Sequence, residues 1–162
     1  MVAARYAALA ALVVWLGGMI LLGLLVAPST FRVLQAHEGA AGRVLAGAVF
    51  GEVLRQFSIV AYVCGGVILL SLIVMKLVGP PPRAFSARAA IVAVMLALAV
   101  YAGVPVSREI AEIQSQTAGP MNQLPDGDPR RARFDRLHST STALMTVNMV
   151  LGLVLLSWYA RE

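Results

Sequence analysis

Hydrophobic and charged positions divide the chain into four stretches without a single Asp, Glu, Lys or Arg. They are 26 residues between Arg5 and Arg32, 20 between Arg55 and Lys76, 19 between Arg88 and Arg108, and 24 between Arg136 and Arg161. A helix rises ~1.5 Å per residue, so ~20 apolar residues cross a ~30 Å hydrocarbon layer. A helix in water keeps a polar stripe; these windows have none, so their solvent is lipid. The pattern predicts an all-α, integral membrane four-helix bundle, a single transmembrane domain over 1–162. The predicted spans are 6–27, 57–75, 87–104 and 136–159. Lipid is the only partner that this pattern names directly.

The connections follow from the breakers. Pro28 lacks the N–H that a helix interior needs, so span one is expected to stop or kink there, with a loop or short interfacial turn over 29–42. Residues 41–56 read as a helix, with Arg43, Gly47, Gly51 and Arg55 recurring every four positions. That segment is expected either to extend span two or to lie along the interface. Gly79 and Pro80-Pro81-Pro82 end span two, Pro105 falls near the exit of span three, and the turn formers between Thr117 and Pro129 make a hydrophilic loop. The first apolar run is longer than a signal-peptide core, and Val26-Ala27-Pro28 is a poor cleavage site, so this run is expected to remain as span one.

Composition agrees with the pattern: 59% of residues are hydrophobic and 13% charged, about half the charge of a typical soluble domain. The net charge of +5 comes from basic residues that flank the spans, where they meet anionic lipid, and no nucleic-acid partner is expected. The single cysteine, Cys64, cannot form an internal disulfide or a zinc cluster and reads as a small packing residue. Four spans put the N-terminus, the Lys76–Arg88 connection and the C-terminus on one side. That side carries Arg5, Lys76, Arg83, Arg88 and Arg161 against Glu162, at high density in short segments. The other side carries more basic residues, nearly balanced by acids over longer loops. Density in short loops favours both termini in the cytoplasm of a bacterial inner-membrane protein.

Candidate chemistry centres on span four. His138, Ser141, Met145, Asn148 and Gly152 step by three and four, so they share one helix face. Such a face either bonds to neighbouring helices or lines a ligand or partner pocket. On the same side of the membrane lie Arg43, Glu52 and Arg55, with Arg108, Glu109 and Glu112, which form a solvated rim or a charged mouth. His37 and His138 also share that side and are the alternative metal or haem ligands; otherwise no metal or cofactor is expected. His138 and Met145 are two turns apart, ~10 Å, and cannot bind one metal. The chain has no phosphate loop, H-E-x-x-H, C-x-x-C or G-x-S-x-G motif, so no enzymatic activity is expected. Gly17, Gly18 and Gly23, and the Gly47–Gly51 pair, permit close helix approach, within the bundle or in self-association.

Trp15-Leu16-Gly17-Gly18-Met19, then Ala27-Pro28, Phe31-Arg32, Gly42-Arg43, Val49-Phe50-Gly51, and Arg133-Phe134-Asp135-Arg136-Leu137-His138 with Asn148 follow one another in order. Together they resemble a family of small four-span bacterial membrane proteins that includes the eukaryotic transmembrane protein 205. The resemblance implies a four-helix membrane bundle. The platinum-drug resistance associated with the eukaryotic member implies metal or drug handling, without assigning residue roles. The chain is more distantly similar to CopD-type copper-resistance proteins and haem-dependent protoporphyrinogen oxidases, which share a W-x-G-G-like first span. Those oxidases carry a haem-ligating histidine about two turns before that tryptophan, where this chain reads Tyr6-Ala7-Ala8-Leu9. The leading expectation is a non-enzymatic structural or accessory subunit that packs against other membrane subunits. The alternatives are a stress-resistance protein handling metals or amphiphiles through the span-four face, and a haem or copper redox protein.

Overall fold

The computed structural model describes residues 2–79, 84–117 and 119–161. Helix α1 covers Val2–Leu21 and runs through one π turn, Leu22–Val26, into α2, Ala27–Val78. Helix α3, Phe85–Tyr101, runs through a second π turn, Ala102–Val106, into α4, Ser107–Ser115. A short turn at Met121–Gln123 precedes α5, Pro129–Ala160. Val2–Val78, Phe85–Ser115 and Pro129–Ala160 are all long and apolar enough to cross a membrane.

The first of these stretches supplies two spans because it folds back on itself at Gly39. That residue has φ 56° and ψ −123°, a backbone state that glycine reaches at little cost. The two arms then run antiparallel. Phe31 and Phe50 meet edge to face at 6.4 Å, and a Cβ on Gly42 would collide with the carbonyl of Leu34. The 29–42 loop expected from the sequence is therefore helix, turned sharply at one glycine. The segment 41–56 is continuous with the second span.

Pro28 does not stop its helix. It sits just past the π turn, in which the Ala27 N–H reaches the carbonyl of Leu22. The wider turn redistributes the bonds that proline cannot make. Pro105 lies inside the second π turn, where the Ser107 N–H reaches the Ala102 carbonyl, and the Ser107 hydroxyl donates to the same carbonyl at 2.8 Å. At the other end of α2 the helix closes at Val78, with Gly79 extended. Pro80, Pro81, Pro82 and Arg83 lie outside the described residues, as does Glu162.

The four spans pack up-down-up-down around one core. It contains Leu12, Trp15, Leu16 and Met19 of α1; Ala61, Cys64, Ile68, Leu72 and Met75 of α2; Val92 and Met95 of α3; and Leu155 and Tyr159 of α5. In lipid the hydrophobic effect does not press helices together; close packing and interhelical hydrogen bonds do. Small residues supply the closeness. Phe57 lies over Gly18, Leu96 over Gly65, and Leu16 and Met95 over Gly152. The outward faces remain apolar, with Leu24 72%, Leu70 63% and Val63 61% exposed. These faces contact the bilayer, and the chain is a multi-pass membrane protein built as an all-α helical bundle.

Candidate functional site

Contacts between neighbouring helices fix their register and, with it, the level of each charged residue. Asn148 meets Met95 and Arg133 meets Glu109, aligning α5 with α3 and α4. Leu16 beside Gly152 and Met145 beside Gly23 align α5 with α1. The Tyr62 hydroxyl donates to the Ala99 carbonyl at 3.5 Å, aligning α2 with α3. Carried to the Gly39 end, these registers bring Arg55, Arg108 and Arg136 within about two residues of one level, ~3 Å of helical rise, while Leu34 against Gly42 and Phe31 against Phe50 place Arg32 nearer the hairpin tip. At the opposite end Arg5, Lys76, Arg88 and Arg161 supply one cation per span. The 19 and 20 uncharged residues between these rims on α3 and α2 rise ~30 Å, a hydrocarbon thickness. The hairpin tip around Gly39 lies beyond this level, with α4 and the start of α5.

The α5 face turns into the bundle only in its deeper half. Asn148 is 4% exposed, and its Nδ2 donates to the Met95 carbonyl at 3.1 Å. Its Oδ1 is buried without a hydrogen-bond partner. Gly152 is buried, and Met145 and Ser141 are half-buried. His138 is exposed, its ring stacked on Phe134 at 6.0 Å. Thr142 and Thr146 donate to carbonyls of their own helix, at 3.0 and 2.9 Å, which settles their hydroxyls without a neighbour. Of this face, Asn148 is the residue whose side chain bonds across to another helix.

Arg43, Glu52 and Arg55 do not join that face. Arg43 is exposed near the hairpin tip, beside a shallow cleft lined by Gln35, Gly39, Ala40, Pro120 and Gln123. Glu52 and Arg55 form a bidentate pair on the outside of α2, with both hydrogen bonds at 2.7 Å. Gln56 adds a third bond to Glu52 at 3.0 Å. The Arg55 hydrogen bond, helped by Gln56, lowers the Glu52 pKa to about 2. In the extramembrane loop, Arg130 likewise holds Asp128 below the usual carboxylate range.

The histidines do not meet. His37 is exposed near the tip, with Nδ1 2.9 Å from the Val33 carbonyl. His138 lies two residues inside Arg136 on α5, away from the hairpin tip. Among the described residues no three His, Cys, Asp or Glu side chains come together as a metal site.

Arg88 is the residue that sequence reasoning misplaced. It read as a flanking cation, yet it is 3% exposed. Its guanidinium lies 4.8 Å over the Tyr159 ring, and Nη2 donates to the Trp158 carbonyl at 3.4 Å. The signal was present: Arg88, Val92 and Met95 step by four and three along one buried face.

No curated protein and no solved structure shows a significant match to the chain. A family model matches residues 10–118, about two thirds of the sequence, and ends before α5. The chain belongs to the family that this model defines, described as a domain of unknown function, DUF4149.

Proposed function

We propose that the protein is a non-enzymatic accessory subunit of a larger assembly in a bacterial inner membrane, docking through the part of the α1–α2 hairpin beyond the rim. One observation carries this reading. Val44, Leu45 and Val49 are 47%, 43% and 43% exposed, on the hairpin arm that reaches about 6 to 11 residues, ~9 to 16 Å of helical rise, from Arg55 toward the Gly39 tip. A partner helix seated on this arm covers them.

Purification from native membranes in mild detergent tests the reading. A stoichiometric membrane partner is expected with the wild type and lost with Leu45→Glu/Val49→Glu, while helical content and the elution profile are unchanged. A chain that purifies alone, or a variant that keeps its partner, contradicts it.

A second reading rests on Asn148. An acceptor left open inside a bundle suits a metal- or amphiphile-handling protein whose ligand donates to Oδ1. A bound metal or lipid lost on Asn148→Ala would favour it. The resemblance of the sequence to the family that includes transmembrane protein 205 accompanies this reading. The haem or copper redox reading, with His37 and His138, predicts a Soret or copper absorbance removed by His138→Ala, which would overturn the non-enzymatic reading. For orientation we keep both termini in the cytoplasm. A tag in the 119–128 loop is then labelled from outside the cell, and labelling from the cytoplasm reverses the assignment.

A further inference from the structure

We propose that the tip half of the α1–α2 hairpin, with α4 and the start of α5, is a cap that swings as one body on the membrane spans, about a joint made by the two π turns. Each turn inserts a wider ring into its helix ladder, with a proline in it or just after it, Pro105 and Pro28. Prolines and π turns are the usual sites of helix bending.

The two turns are neighbours. Gly23 of the first lies beside Met145 of α5. The second packs on both α5 and α2. The Asn148–Met95 and Arg133–Glu109 contacts set it about one to two helical turns along α5 from Met145. The other two helices are loosened at the same place. On α2 the Ser58 hydroxyl, packed against Gly103 of the second turn, donates back to the Leu54 carbonyl at 2.9 Å. On α5 Thr142 and Thr146 flank Met145, and both bond back to their own helix. Such back-bonds often bend helices.

Packing divides at this joint. No residue is buried from 23 to 41, 47 to 60, 96 to 105 or 129 to 147. Burial on the membrane side ends at Leu22, Ala61, Met95 and Asn148. On the other side Ala46, Val106 and Ile113 are buried apart from that core. The cap is braced on itself: Phe31 meets Phe50, Gly42 meets Leu34, Gly47 meets Gln114, and Arg133 pairs with Glu109. A body tied within itself and thinly packed on its neighbour moves as a unit. A swing of ~20° moves the Gly39 tip, ~20 Å from the first π turn, by ~7 Å. The joint lies within the chain, so it does not depend on the subunit reading.

Double electron–electron resonance in vesicles tests this, with paired spin labels in a Cys64→Ser background. Positions 36 and 111 both sit on the cap, 73 and 94 both on the spans, and the 36–94 pair crosses the joint; all four are exposed. The within-body pairs are expected to give narrow distance distributions, and the crossing pair one broader by up to ~7 Å. Deleting Leu24 and Val104, one residue from each π turn, restores continuous α-helix and narrows the crossing pair to the within-body width. Pro28→Ala/Pro105→Ala, which restores both missing donors and deletes nothing, narrows it in part. Unchanged within-body distances identify a folded variant. The proposal is overturned if the crossing pair is as narrow as the others in the wild type, or if neither folded variant narrows it.

Discussion

Asn148 and Arg88 show how far single residues could be read. Asn148 was legible: a lone amide in an apolar span must bond across to a neighbour, and the Met95 carbonyl is that neighbour. Truncation removes one interhelical bond and also an unsatisfied acceptor. Asn148→Ala should therefore cost only about 0.5–1.5 kcal/mol, measured by steric trapping or denaturant unfolding in micelles. A loss of several kcal/mol would mean that Oδ1 has a partner in the folded protein. Arg88 was not legible as buried, because a cation near a span end ordinarily snorkels to the interface, and only its phase with Val92 and Met95 pointed inward. Glu52 carries a sharper electrostatic expectation. Its folded pKa is about 2, against an ordinary 4.5. The pair's contribution is present above 4.5 and lost as pH falls through about 2. Carboxyl NMR should show that low midpoint in the wild type and one near 4.5 in Arg55→Gln.

At the scale of elements, the spans were readable from charge-free length, and the connections were not. Proline chemistry predicts a break at Pro28, but a π turn accommodates the missing donor and lets the helix continue. The reversal was hidden in Ala36–Gly42, where alanine and glycine dilute both helix and turn signals, so the strain at Gly39 was visible only in the backbone. Two substitutions test this backbone reading with opposite signs. Gly39→Ala places a Cβ at φ 56° and should destabilise by about 1–2 kcal/mol. Ala84, at φ 54° before α3, is already in that region, and Ala84→Gly should raise the melting temperature by a few degrees. Equal effects of one sign would contradict the assignment. The split of the candidate site has a related cause. His138 to Gly152 share one helix, so periodicity placed them on one face. Arg43, Glu52 and Arg55 belong to another helix, and no spacing within the sequence relates the two.

At the scale of the molecule, two rims of basic residues bracket an apolar layer, and a helical hairpin passes beyond one of them. The membrane bundle and its span count were legible because they depend only on charge-free length. The projecting hairpin was not, because it depends on how the chain turns at Gly39. The central claim is that α2 stands across the bilayer with its arm before Arg55 raised into water. Spin-label accessibility along positions 40–78, in a Cys64→Ser background reconstituted in vesicles, tests this most directly. The account predicts water-soluble relaxant access from 40 to about 54 and oxygen-dominated access from about 57 to 75. Oxygen-dominated access continuing to position 40, or an access pattern before Arg55 that alternates with the helical period as for a helix lying flat on the membrane, would contradict it.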